Sequence, residues 1–213
     1  MKKTKNLVLG AEMFETDNQA PLNDYLNGTI TAKGLDTLAR LWPNYKTDYA
    51  PLVNFAKENK INFIASNIPR KYASLVNRKG FEALDTLPGN IKNLIAPLPI
   101  AYDPDLPGYK KMKDMMPGHG GENLPKAQTV KDATMAFNIL KNFKKGDFFI
   151  HFNGSYHSEN YEGILWYLKK ERPDLKYFTI TTVSQADCTK LLKENRGKAD
   201  FIICVDEDMT TTY

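Results

Sequence analysis

The chain has little of the chemistry-bearing residues: two cysteines and three histidines in 213 residues. Cys188 and Cys204 form no C-x-x-C pair. The stretch they bound, "CTKLLKENRGKADFIIC", offers no further zinc-type ligands, so two unpaired thiols are the plain expectation, with a disulfide as the alternative. No stretch of about 18 apolar residues occurs, which excludes a membrane-spanning helix. The start "MKKTKNLVLG" has a basic tip, but Glu12 soon interrupts the apolar run, so neither a secretory signal nor any other address is expected. There is no G-x-S-x-G elbow, P-loop, H-E-x-x-H or G-x-G-x-x-G. "GHGGEN" is glycine-rich, but it follows a proline-rich stretch rather than a strand, so it is no phosphate cradle. The net charge of +4 is carried by short scattered lysine runs. Such runs read as solvated faces, and no nucleic-acid partner is expected. Repeats and low-complexity segments are also absent.

What is present is an ordinary globular balance, with 42% hydrophobic and 25% charged residues. Apolar runs alternate with helical patterns. "NLVLGAEMF", "INFIASN", "DFFIHF", "LKYFTITTV" and "ADFIICV" read as strands. Between them, "TDNQAPLNDYLNG" predicts a helix capped by Asp17 or Asn18, and "TAKGLDTLARLW" a second short helix. "TDYAPLVNFAKENK" predicts a third, with Leu52, Val53, Phe55 and Ala56 inward. "PRKYASLVNRKG" places Pro69 in a first turn and Gly80 as the stop. "PKAQTVKDATMAFNILKNFKKG" is the clearest helix, with Ala127, Val130, Ala133 or Thr134, Phe137 and Leu140 on one face. "YEGILWYLKKE" and "DCTKLLKEN" predict two more. Residues 97–125, rich in proline, read as a long loop or a few short helices, with Met112, Met115 and Met116 as flexible filling. The alternation predicts an α/β fold: a mostly parallel sheet flanked by helices, with a smaller helical subdomain. The continuously apolar strands predict cover on both faces. We expect one domain over 1–213, with helical additions at approximately 17–58 and 104–125.

In a parallel sheet, ligands bind beyond the carboxyl ends of the strands. There the chain delivers Glu12 and Glu15, then Ser66, Asn67 and Arg70, then Asn153, Ser155, Tyr156 and His157, and finally Thr181, Thr182 and Ser184. The expectation is a polar pocket lined by Glu12, Asn67, Arg70, Asn153 and Tyr156, with His157 at its edge. His151 lies inside a strand and reads as a hydrogen-bonded core residue. His119 sits in "PGHGG". Taken alone, Tyr109 and Tyr49 read as packing residues with a solvated hydroxyl.

Four blocks in order, "LGAEMFETDNQAPLNDYLNG", "DYAPLVNFAKENKINFIASNIPRKYASLV", "AQTVKDATMAFNI" and "HFNGSYHSENYEGI", resemble the ChaN-like haem-binding uptake proteins of the Tiki superfamily. The resemblance spans nearly the whole chain. It implies cell-envelope lipoproteins of haem and iron uptake that work with outer-membrane components. It also implies haem held at a homodimer interface, with a tyrosine on the iron and a histidine and lysine from the other subunit on the propionates. Phenolate oxygen suits ferric iron, and a haem slot needs apolar walls and cations. Tyr109, first, and Tyr49 are the candidate ligands, Lys110 a candidate cation, and His157 and His119 the candidate propionate partners.

The superfamily also contains metal-dependent hydrolases, which this chain resembles at Gly154-Ser155-Tyr156-His157 and at Glu12. The alternative function is therefore hydrolysis through a divalent metal, with His157 as ligand and Glu12 as ligand or base. The family pattern has an earlier strand ending in a G-E-x-H motif, whereas this sequence starts a few residues ahead of "LVLGAEMF". That departure leaves half of any metal set missing and favours a binding protein over an enzyme. It also predicts a vacant edge or interior position in the sheet and a tendency to associate.

Overall fold

The computed structural model describes residues 6–115 and 122–212. At its centre is β1 (Leu7–Glu15), buried along most of its length, as its mostly apolar sequence, broken by Glu12, demands. β2 (Asn62–Asn67) pairs with one side of β1 and β3 (Phe148–Phe152) with the other, both in parallel. Among the described residues the three strands are contiguous, in the order β2-β1-β3. Parallel neighbours need crossovers, and helices supply them. α1 (Gln19–Leu26), α2 (Ala32–Leu38) and α3 (Ala50–Glu58) lie between β1 and β2. α4 (Arg70–Lys79), α5 (Glu82–Asp85), α6 (Gly89–Lys92), α7 (Pro107–Met115) and α8 (Leu124–Asn142) precede β3. α9 (Ile164–Glu171) follows it. The fold is α/β, with a parallel sheet flanked by helices.

The two faces of the sheet are covered differently. Leu9, Ala11, Phe63 and Ala65 pack with Leu22, Tyr25, Leu35, Val53 and Ala56 of the first three helices. The other face takes α8, which packs against β2, α4 and α9. A helix so enclosed cannot be apolar on one stripe only. Ala127, Val130, Ala133 and Thr134 are buried as expected, but so are Thr129, Asp132 and Met135, while Phe137 and Leu140 are only partly covered.

Four local expectations fail for identifiable reasons. Phe55 is half-exposed, because the buried stripe of α3 runs through Val53 and Ala56. Neither Asp17 nor Asn18 caps α1 with its side chain, since Asn18 Oδ1 accepts from the Arg40 amide instead. The helix expected in "DCTKLLKEN" is absent apart from one turn at Lys193–Asn195. There the Gln185 side chain donates to the carbonyls of Asp187 and Lys190 and accepts from the Leu192 amide, so groups a helix would have paired are satisfied locally. Finally, among the described residues β4 (Ile180–Gln185) and β5 (Phe201–Asp206) pair in parallel only with each other. β4 alternates exposed and buried, and Ile180, Phe201 and Ile203 face outward, so these two strands are not covered on both faces.

Candidate functional site

Three elements carry ionisable groups to one buried point. Glu12 stands on β1, Asp132 on the enclosed helix α8, and His157 on the turn Ser155–His157 that follows β3. His157 Nδ1 lies 2.5 Å from Asp132 Oδ1, and its Nε2 lies 3.2 Å from Glu12 Oε1. The second oxygen of Asp132 accepts from the Tyr109 hydroxyl at 3.0 Å, and the second oxygen of Glu12 accepts from the Gly154 amide at 2.7 Å. Asn67 donates to the Glu12 carbonyl, and its own Oδ1 is buried without a partner among the described residues. Asp132 has no exposed surface and His157 almost none.

Electrostatics follow from this enclosure. Burial opposes charge on His157, but the Asp132 and then the Glu12 carboxylates outweigh it and hold the imidazolium to about 9. Burial likewise opposes ionisation of Glu12, yet the hydrogen bond and charge of His157 hold its carboxyl down at about 2. Asp132 is pushed upward, chiefly by burial. The result is a cation between two carboxylates, linked through Asp132 to the Tyr109 phenol.

The other histidine of "HFNGSYHS" has a different part. His151 Nε2 is 2.8 Å from Ser66 Oγ on β2, and its Nδ1 is 3.0 Å from Asn153 Oδ1. To reach β2 from β3 the ring must cross β1, and it does so at Gly10, its partner in register. A side chain at Gly10 would meet the Phe149 ring at 2.9 Å. Burial pulls His151 down to about 4, so the ring is neutral. It is a polar tie across three strands.

The loop over His157 depends on one backbone feature. Gly163 has φ 55° and ψ −121°, a region open in practice to glycine alone. A Cβ there would stand 2.5 Å from the His157 carbonyl oxygen. Gly163→Ala is expected to cost about 2 kcal/mol or more, from the conformation plus a backbone clash that must be relieved. A urea titration measures this, and a loss within about 0.5 kcal/mol, the range of an ordinary surface substitution, would refute the packing described.

The remaining residues singled out from the sequence do not share one pocket. Glu12 meets both Asn67, at its carbonyl, and His157, at its carboxylate; Asn153 lies alongside, donating to the Gly154 carbonyl and Ser158 Oγ. Tyr156 lines a neighbouring cavity of about 90 Å³ with Tyr109, Met112 and Gln128. Arg70 lies elsewhere, in an open groove of about 640 Å³ with Glu15, Arg40, Trp42, Lys71 and Arg78. Lys110 is exposed and pairs with Asp105. Tyr49 is partly buried, edge-on to the Trp42 ring at 5.8 Å. His119 lies outside the described residues. Sequence reasoning missed Asp132, although a lone carboxylate among the apolar residues of α8 is the kind of signal that marks a buried partner.

Metal ligation needs lone pairs converging on one centre. Both ring nitrogens of His157 instead face separate carboxylates, and among the described residues no group of three His, Cys, Asp or Glu side chains is arranged to hold an ion. Nor is any helix of the described residues long and apolar enough to cross a membrane.

Comparison with known proteins places this architecture. Residues 1–168 match the family described as haem-binding uptake, Tiki superfamily, ChaN, and the chain belongs to that family. A solved structure of cofacial haem binding to ChaN of Campylobacter jejuni has the same fold, with a TM-score of 0.63 at 17% identity over 93% of this chain and 73% of that one. The chain is also 27% identical over 85 residues to the chloroplastic protein RETICULATA-RELATED 5 of Arabidopsis thaliana. That match spans 39% of this chain and 12% of the plant protein's length.

Proposed function

We propose that this chain binds haem, and that the groove beside α4 receives it. The observation that carries this reading is the groove's make-up. At about 640 Å³ it falls within the size range of small-molecule and cofactor pockets, whereas the cavity beside Tyr109, at about 90 Å³, does not. Leu41, Trp42 and Pro43 offer an apolar and aromatic wall. Arg70, Ser74 and Arg78 follow at four-residue spacing on one stripe of α4, with Lys71 beside them. Among the described residues, Arg70 and Arg78 have no acidic partner, so they are available to two carboxylates. A bound haem would supply a flat apolar ring, two propionates and an iron that takes an axial donor.

The fit reverses the order of the two tyrosines. The Tyr109 hydroxyl is buried against Asp132, and burial, then the Asp132 charge, push it far above its ordinary value. Phenolate at that position is disfavoured, and the ring would have to leave the core to reach a macrocycle. Tyr49, packed on the groove's Trp42, is the better axial candidate. An open groove covers one face of a haem, so a second copy of the chain over the other face belongs to the same reading. His157 is too enclosed to meet a propionate. We extend the family description, haem-binding uptake, to a part in iron acquisition at the cell envelope.

Titration of the purified chain with hemin tests this. A shifted Soret band saturating at about one haem per chain is expected. Arg70→Ala combined with Arg78→Ala should weaken binding by roughly 10–100-fold, the worth of a charge-assisted hydrogen bond or two. Tyr49→Phe should move the Soret maximum, whereas Tyr109→Phe should leave it in place. Binding unchanged in the double arginine variant would remove the groove from consideration, and no Soret shift at all would remove haem.

A further inference from the structure

The crossover between β4 and β5 has little holding it down. It forms no α-helix, and its order rests on the Gln185 side chain and a few buried residues such as Asn195 and Ala199. Cys188 stands three residues beyond the end of β4, and Cys204 lies on β5 opposite Val183. Sixteen residues apart in sequence, their sulfurs are 3.0 Å apart. That is roughly 1 Å longer than a disulfide bond. Both cysteines reach solvent, Cys188 more than Cys204. We propose that Cys188 and Cys204 are a modification site, a reversible intramolecular disulfide that clasps the crossover to β5.

The reagent is a low-molecular-weight disulfide. A thiolate of the pair attacks it, forming a mixed disulfide and releasing one small thiolate. The second cysteine, deprotonated, then attacks the protein sulfur of that mixed disulfide. The Cys188–Cys204 bond forms and a second small thiolate leaves. The protein pair loses two electrons, the reagent gains them, and the two cysteine protons end on the two released thiols. The Cys188 thiol is pushed up to about 11 by the neighbouring Cys204 sulfur, so exchange quickens toward alkaline pH. The clasp bears on the buried cluster as well. The Lys198 carbonyl accepts from the Asn160 amide at 2.8 Å, and Asp200 accepts from the Tyr161 hydroxyl at 3.1 Å. The clasped segment thus braces the loop that covers His157.

The test equilibrates the full chain in mixtures of reduced and oxidised glutathione, followed by alkylation, intact mass and peptide mapping. Expected in the oxidising mixtures are a monomer about 2 Da lighter, the mass of the two hydrogens lost, with both thiols unreactive and one peptide pair joining Cys188 to Cys204. Its Tm should exceed that of the reduced form by several degrees. Neither Cys188→Ser nor Cys204→Ser should show the mass loss, and their Tm should not respond to the mixture. If both wild-type thiols still alkylate in the most oxidising mixture, or only glutathione adducts or intermolecular dimers form, the proposal is overturned.

Discussion

Asp132→Ala is expected to lower the unfolding free energy by about 3–5 kcal/mol, the usual cost of removing one partner from a buried ion pair. The carboxylate is wholly buried and serves two groups at once, accepting from His157 Nδ1 at 2.5 Å and from the Tyr109 hydroxyl at 3.0 Å. Without it the imidazolium keeps only Glu12, at 3.2 Å, and the phenol loses its acceptor inside the core. Asp132→Asn keeps the volume and an acceptor oxygen, so it should cost less, but it removes the charge that holds the His157 proton. The His157 titration, read by NMR, should then move down from about 9 toward the ordinary imidazole value near 6.5. Urea unfolding with an unchanged m-value measures the stability loss. A cost below about 1 kcal/mol for Asp132→Ala, less than a typical core change, would mean that the cluster is not closed as described.

The second large effect is a fall in stability on the alkaline side. The folded-state value of His157 is raised from 6.5 to about 9, so between those values the folded chain binds more protons than the unfolded one. The contribution is fully present below pH 6.5 and is lost as pH rises through 9. With about 1.4 kcal/mol per unit, the loss is about 3 kcal/mol. On the acid side the signs reverse. His151, lowered to about 4, contributes stability above 6.5 that disappears as pH falls through 4. Glu12, lowered to about 2, contributes above 4.5 and loses it as pH falls through 2. Asp132 opposes them there, because burial favours its neutral form, so the acid limb is the shallower. Unfolding free energy measured from pH 5 to 9.5 should therefore peak near about 6.5, the reference imidazole value. His157→Gln should flatten the alkaline limb, and because His157 also holds the Glu12 carboxyl down, it should move the Glu12 contribution on the acid side as well. An alkaline limb of equal depth in His157→Gln would assign the effect to other groups.

Element types were mostly legible because each is written in a local period. The apolar run at Leu7–Phe14, bounded by polar turns, cannot be solvated, and the stripe of α3 or the Pro69 start and Gly80 stop of α4 fix those helices without help. "DCTKLLKEN" misled because helix propensity is weak beside a specific alternative. One glutamine, Gln185, captured the backbone groups that the helix needed, and a side chain outside the segment cannot be read from the segment. Arg70 was expected beside Glu12 because both were placed at strand ends, yet it opens into a groove with Glu15 and Arg40. The order of residues along a strand fixes the face, and it leaves the distance to the next element free.

From its own pattern of residues the chain determined the α/β alternation, the family, and the delivery of Glu12, Asn67 and His157 to the carboxyl ends of parallel strands. The tertiary structure decided what those groups do together. Only the packing of α8 across the sheet puts Asp132 against His157, and only that enclosure turns two carboxylates and an imidazole into one buried charge cluster instead of an open pocket. The same holds for the groove, whose walls come from segments about 30 residues apart, and for the two cysteines, which meet because the segment after β4 carries Cys188 back against Cys204 on β5. The reason is physical: propensity acts over a few residues, while desolvation, charge pairing and sulfur contact depend on distances through space that no local pattern encodes.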